Sequence, residues 1–170
     1  MNILRPQDIY ILLLLAAGDR NDEWTYDQLA ARSGLSTSQV FRALSRAEAS
    51  HLFDKESRRL RSLELGEFLT HGIRYAFAAV PGKIQRGVLT GWAAPGLGDV
   101  MVASAEEPYV WPAPDGTARG QGIEPLHSAA ISAACENDAL YRLLALTDVL
   151  RLGTARERKV AGEEVRRLLR

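Results

Sequence analysis

Four groups of side chains in this sequence have a type or spacing that could do chemistry. Cys135 is the single thiol of the chain, and His127 lies eight residues before it. On a helix that separation is about two turns, so the pair is not placed as nucleophile and base, and a cysteine among alanines is expected in the core. Glu106 and Glu107 are adjacent carboxylates that would not face each other, which suits a solvated loop. The "GLG" of Gly96 to Gly98 lacks the strand, third glycine and helix of a dinucleotide-binding turn. The fourth group is "GLSTSQVFRALSRA", residues 34–47. Ser36 is placed to cap a helix, and Val40, Leu44 and Ala47 stand at i, i+4 and i+7, a stripe that would dock it. Gln39, Arg42 and Arg46 stand at i, i+3 and i+7 on a neighbouring face, free to make contacts.

The elements that must carry this helix are legible around it. Pro6 opens an apolar helix, whose run from Ile9 to Ala17 is far shorter than the roughly 20 residues that span a bilayer, and Gly18 with "DRND" closes it. It reads as a buried first helix. Thr25 caps a short helix, "YDQLAARS", and Gly34 supplies the tight turn into the helix from Ser36 to Ala49. Two short helices about a glycine turn, the second with a polar outer face, make a helix-turn-helix. "HLFDKESRRLRSLEL" follows, with Leu52 and Phe53, a polar turn from Asp54 to Ser57, and Leu60 and Leu63 among Arg58, Arg59 and Arg61. This reads as a short hairpin with a charged tip.

Net charge is zero, with 21 basic and 21 acidic residues, yet the charges are segregated. Residues 32–61 hold seven basic and three acidic residues, and residues 141–170 hold eight and four. Residues 1–31 hold two and five, and residues 62–140 hold four and nine. A local basic patch is what phosphate binding needs, because salt screens each contact beyond about 8 Å. One cysteine allows no internal disulfide, which fits a reducing cytoplasm. His51, His71 and His127 are too scattered for metal-ligand spacing, so neither metal nor cofactor is expected, and no constellation supports an enzyme.

"TYDQLAARSGLSTSQVFRALSRAEASHLF" resembles the winged helix-turn-helix of bacterial transcription regulators of the MarR-like and related groups, over roughly residues 6 to 63. The resemblance implies that the helix from Ser36 to Ala49 enters the major groove of double-stranded DNA. Gln39 would pair with an adenine edge and Arg42 with a guanine or a phosphate. Ser36, Thr37 and Ser38 would meet phosphate oxygens at the positive helix end, with Arg46 on the same face. Arg58, Arg59 and Arg61 of the wing would track the backbone or probe a minor groove, with Lys55 beside them. Phe41 departs from the small or polar residue frequent at its position. It is expected to complete the core, with contact to a thymine methyl as the alternative.

Beyond residue 63 the expectations are coarser. "LELGEFLTHGIRYAFAAVPG" reads as a long linking helix, residues 64–82. The Gly- and Pro-rich stretch after Lys83 has strand-like runs at Asp99 to Ala103 and Tyr109 to Trp111, with Thr117 to Ile123 returning as a second strand. Helices follow from Ser128 to Cys135, from an Asn137 or Asp138 cap to Leu152, and after a Gly153-Thr154 break. "YVWP", "GTARG", "EPL" and "LLALTDVLRLGTARER" resemble an uncharacterised bacterial winged-helix group associated with nucleotidyltransferase-type toxins, which implies a partner-binding half. The expected fold is thus mainly α: a winged helix over residues 1–63, a linking helix, and a mostly helical region over residues 83–170 that admits a short β hairpin. The expected protein is a cytoplasmic, dimeric DNA-binding regulator without a membrane span. The alternative is an antitoxin-like or adaptor protein holding a partner encoded nearby. Residues 1–82 are expected to retain DNA binding on their own.

Overall fold

The longest apolar run becomes the most enclosed helix. In a computed structural model, which describes residues 3–19, 23–102 and 107–170, α1 (Pro6–Ala16) has every residue from Asp8 to Leu14 buried. Pro6 sits in its first turn, where a missing N–H costs nothing. A helix apolar on all sides must be covered on all sides, and α1 packs against both α3 (Thr37–Ala49) and the distant α7 (Asp138–Leu152).

The short helices follow their caps. At the start of α2 (Tyr26–Ser33), Gln28 N–H donates to Thr25 Oγ1 (3.1 Å) and Thr25 N–H donates to Gln28 Oε1 (2.9 Å). The helix ends at Gly34, whose φ of +71° a side chain would strain. At α3 the same reciprocal box joins Ser36 and Gln39. Val40, Ala43, Leu44 and Ala47 are fully buried, so the expected docking stripe is present with Ala43 added. Strands β1 (Phe53–Asp54) and β2 (Arg59–Leu60) pair antiparallel, Phe53 opposite Leu60 and Asp54 opposite Arg59. Their turn is closed by Asp54 Oδ1, which accepts from Glu56 N–H (3.0 Å) and Ser57 N–H (3.2 Å). Those bonds hold the Asp54 carboxyl below its ordinary pKa, the Ser57 amide contributing most.

The linking helix is shorter than expected. It runs as α4 (Ser62–Glu67), a π-helical turn (Phe68–Gly72) and α5 (Ile73–Ala76), and stops before Val80 and Pro81. At the end of α5 the carbonyl of Phe77 accepts from Arg151 Nε (2.8 Å), so a guanidinium from α7 holds the chain where it leaves the helix.

The segment from residue 83 differs most from expectation. Strand β3 (Ile84–Thr90) has no counterpart among the expected elements, whereas β4 (Tyr109–Pro112) and β5 (Ala118–Gly122) fall at the two arms of the expected hairpin. They do not form a hairpin. Both run antiparallel to β3 and parallel to each other, closing a three-stranded barrel. Gly87 pairs with both Pro112 and Ala118 and marks where β3 passes from one partner to the other. A Cβ there would collide with Trp111 O, so only glycine permits the closure. Asp99, Val100 and Met101 lie in turn and coil rather than in a strand, while Ala103 and Glu106 lie outside the described residues.

The C-terminal helices match expectation closely: α6 (Ala129–Cys135), α7 capped by Asn137 Oδ1, and α8 (Ala155–Leu168) with a Thr154–Glu157 capping box. Residues 143 to 151 of α7 are all buried. Among them is Asp148, whose Oδ2 accepts from Thr90 Oγ1 and Trp111 Nε1 (both 2.7 Å) and whose Oδ1 accepts from Arg151 (2.8 Å). Burial pushes its carboxyl pKa up, against the pull of Arg151 and these donors. The cluster fastens α7 to the barrel. The chain is mainly α with a small sheet, and one hydrophobic cluster runs from Ile9 through Leu65 and Trp111 to Leu169. The core is therefore continuous across the expected boundaries at residues 63 and 82.

Candidate nucleic-acid interface

Rotation along α3 decides which of its side chains can reach out. Successive residues turn by about 100°, and the buried arc is centred near Val40 and Ala47. Opposite it stand Ser38, Phe41, Arg42 and Ser45, with Thr37 and Glu48 at the margin. Gln39 and Arg46 fall at the edge of the core arc, so the expected stripe of Gln39, Arg42 and Arg46 does not hold together.

Arg46 is the clearest correction. Its guanidinium is buried and grips Asp8 of α1 with both forks, Nε to Oδ2 at 2.8 Å and Nη2 to Oδ1 at 2.7 Å. Asp8 is wholly inaccessible and also accepts from Arg5 N–H (2.8 Å). The carboxylate raises the Arg46 pKa still further, chiefly by these hydrogen bonds. Arg46 therefore joins α3 to α1, and burial rather than a lack of donors keeps it from a ligand on the outer face. Gln39 is half-buried, and its Oε1 is occupied by Ser36 N–H (2.9 Å). Bidentate recognition of adenine needs both ends of that amide, so Gln39 would have to leave the cap to serve.

Of the remaining expected residues, those of α3 and Lys55 gather on one face. Ser36, Thr37, Ser38 and Arg42 are exposed on the first half of α3. Thr37 Oγ1 donates to Asp27 Oδ1 (2.7 Å), and among the described residues Arg42 makes only a long bond to Ser38 O (3.3 Å) within its own helix. Lys55 reaches across from the hairpin, its Nζ 3.1 Å from Ser45 Oγ and 4.1 Å from the centre of the Phe41 ring. The hairpin tip is thereby fastened beside the outer face of α3. Arg59 and Arg61 are exposed, and their side chains make no hydrogen bond or ion pair among the described residues. Arg58 is different. With φ of +57° it lays its guanidinium over Trp24 (4.3 Å to the ring centre), beside Tyr26, and donates to Trp24 O. It braces the hairpin against the start of α2.

Trp24 and Tyr26, which sequence reasoning does not assign to this surface, thus belong to it beside Phe41, whose outward place is the alternative expectation. Trp24 packs edge-on to Tyr26 at 5.5 Å, and Tyr26 lies 5.6 Å from Phe41. Phe41 is 49 % exposed and not part of the core as expected. The signal is present in the sequence: Phe41 stands three residues after Ser38 and four before Ser45, both outward, and well away from Val40 and Ala47 on the helical wheel.

The groups considered for catalysis are dispersed. Cys135 is exposed at the end of α6 and not in the core, because α6 turns Ala130 and Ala134 inward and its last residue outward. His127 stacks on Tyr10 and accepts from Ala129 N–H (3.1 Å). Tyr10 donates to Ser33 O (2.9 Å) and burial pushes its pKa up to about 12, too high for proton transfer near neutrality. Glu107 is exposed, and Glu106 lies outside the described residues. Among the described residues no three His, Cys, Asp or Glu side chains gather as metal ligands, and no helix is long and apolar enough to cross a membrane. Comparison of the chain with protein-family models, with curated proteins and with solved structures gives no match.

Proposed function

We propose that this chain is a sequence-specific DNA-binding regulator in which α1–α3 and the β1–β2 hairpin act as a winged helix-turn-helix on double-stranded DNA. The observation that carries the reading is the contrast between the two arginines of α3's second and third turns. Arg46 is consumed by a buried carboxylate, whereas Arg42 stands on the outer face of α3, which Lys55 flanks, and makes no ion pair among the described residues. A desolvated ion pair is spent on the fold, but two cations without ion pairs on an uncovered helix face, Arg42 and Lys55, suit a polyanion. Such regulators usually act as two-fold dimers in the cytoplasm, and the exposed Leu63 and Tyr75 of the linking helix are where a second copy would find apolar surface.

The test is binding of the full chain to its own upstream DNA across a range of salt. Arg42→Ala, Arg59→Ala and Arg61→Ala should each weaken binding, and the slope of log affinity against log salt should flatten by about one for every phosphate left without its cation. Unchanged affinity and slope in all three, with normal melting, refutes the reading.

A second reading is favoured by α8 and the residues after it, where Arg156, Lys159, Arg166 and Arg170 are all exposed. In that reading the chain is antitoxin-like or an adaptor and holds an acidic protein partner encoded nearby. Co-purification with the neighbouring gene product, abolished when these four residues are replaced by glutamine, supports it.

A further inference from the structure

Phe41 is the side chain whose placement the fold itself does not require. It shares the outward side of α3 with Ser38, Arg42 and Ser45, and its ring is half-exposed. Leaving a phenyl ring in water is unfavourable and, for an isolated chain, gains nothing. The ring is also held. Tyr26 lies against it at 5.6 Å with the planes at 50°, and the Lys55 ammonium sits 4.1 Å over its centre. Lys55 is itself tied to Ser45 Oγ. One side of the ring is thus braced by an aromatic, one is capped by a cation, and the rest faces outward.

The surroundings say what such a ring can meet. The helix positions three before and four either side of it, Ser38, Thr37 and Ser45, carry short side chains, so nothing beside the ring keeps a partner at a distance. Arg42 and Lys55 bring positive charge on either flank. An apolar group presented between cations fits a surface on which an apolar group is set among anions. In a DNA major groove that group is the 5-methyl of thymine, lying between two phosphate backbones. An apolar protein partner would have to leave those cations unpaired or supply carboxylates around its own apolar contact.

We propose that Phe41 contacts the 5-methyl group of a thymine and makes the presence of that methyl a condition of tight binding. The inference rests on the DNA-binding reading above and adds a specificity-determining residue to it. Tyr26 and Lys55 act as positioning residues that hold the ring in its outward orientation before DNA arrives, which removes an ordering cost from the bound state.

The experiment uses the full-length protein and a duplex enriched by it from a random-sequence pool. Each thymidine of that duplex is replaced singly by deoxyuridine, which deletes the methyl and leaves base pairing intact. The wild type should bind about threefold to fivefold more weakly at one such position, the scale of one methyl group returned to water. F41A, which loses the Tyr26 and Lys55 contacts but leaves the core packed and so should melt only slightly below the wild type, should bind the methylated and unmethylated duplexes equally, while F41L should keep part of the difference. Comparing the four combinations isolates the ring–methyl contact from any effect of deoxyuridine on DNA stiffness. Equal affinity of the wild type for every substituted duplex overturns the proposal and leaves DNA binding standing. So does an enriched sequence without thymidine, or an F41A protein that keeps the full difference. A pool from which no sequence is enriched overturns the DNA-binding reading itself, and this inference with it.

Discussion

Replacing Arg46 separates its structural role from the ligand contact that its position in the sequence suggests. In Arg46→Leu the carboxylate of Asp8 stays wholly buried and loses two charge-assisted hydrogen bonds of 2.8 and 2.7 Å, keeping only Arg5 N–H. Breaking a buried pair from one side costs about 3–5 kcal/mol, because an uncompensated charge remains. For a chain of this size each kcal/mol moves Tm by about 2–4 °C, so the midpoint should fall on the order of 10 °C. Asp8→Leu should cost a similar amount by stranding the guanidinium. The double variant removes both charges and should lie within about 1–2 kcal/mol of the wild type, the difference being the missing bond to Arg5 N–H. Urea denaturation followed by far-UV circular dichroism measures this, provided the m-value is the same in all four proteins. DNA affinity of the double variant should equal that of the wild type. An Arg46→Leu protein destabilised by less than about 1 kcal/mol would mean that the pair is not desolvated. A stable double variant that no longer binds DNA would return Arg46 to the contact face, and both results would refute the reasoning.

Three further outcomes can be checked independently. Glu164, which accepts from Arg142 at 2.8 Å and from Arg167 at 2.9 Å, has its pKa held down to about 2, with Arg167 the larger cause. A lowered carboxylate stabilises above its unfolded value of about 4.5 and loses that contribution as pH falls through 2, so Glu164→Gln should cost about 1–2 kcal/mol at pH 6, reduced by solvent around the exposed Arg167, and nothing at pH 1.5. Trp24→Ala removes the ring beneath Arg58 and should lower stability by about 1 kcal/mol or more while raising amide exchange at residues 54 to 59, measured by hydrogen–deuterium exchange. Cys135 should react completely with a thiol reagent in the folded protein at a rate close to that in urea, and slow, partial labelling would contradict its exposure.

Local signals are legible in proportion to how little they depend on the rest of the chain. The caps Thr25, Ser36, Asn137 and Thr154 and the turn at Gly34 act within four residues, and each helix they bound begins where the sequence places it. The Asp54 turn and the hairpin it closes are equally local. The barrel is not. "IQRGVLT" alternates poorly, and its pairing with two segments more than twenty residues away depends on Gly87 admitting the Trp111 carbonyl, a contact no window of sequence contains. The early end of the linking helix has the same origin, since Arg151 is remote in sequence from the Phe77 carbonyl it binds. At the candidate interface the basic cluster of the hairpin is legible, but the division of α3 between Arg42 and Arg46 is not. Both lie off the apolar stripe, and the difference is made by Asp8, a single acid in an apolar helix 38 residues away.

The enclosure of α1 also explains how the two ends of the chain come to depend on each other. A helix with Asp8 to Leu14 all enclosed needs partners on every side, and α3 with the short α2 cannot surround it. The missing wall is α7, which is itself enclosed from residue 143 to 151 because it in turn meets α1, α5, α6, α8 and the barrel. Residues 1–82 alone would leave one flank of α1 in water, together with the inner sides of Leu65, Leu69 and Ile73. At about 1.5–3 kcal/mol for each large apolar side chain exposed, that loss exceeds the whole stability of a small domain. A chain ending at residue 82 should therefore show no cooperative unfolding transition, and a cooperative one would restore the expectation that residues 1–82 bind DNA by themselves. A ligand or second copy that shifts α7 would act directly on α1, and through the Asp8–Arg46 pair on the helix whose outer face carries Phe41 and Arg42.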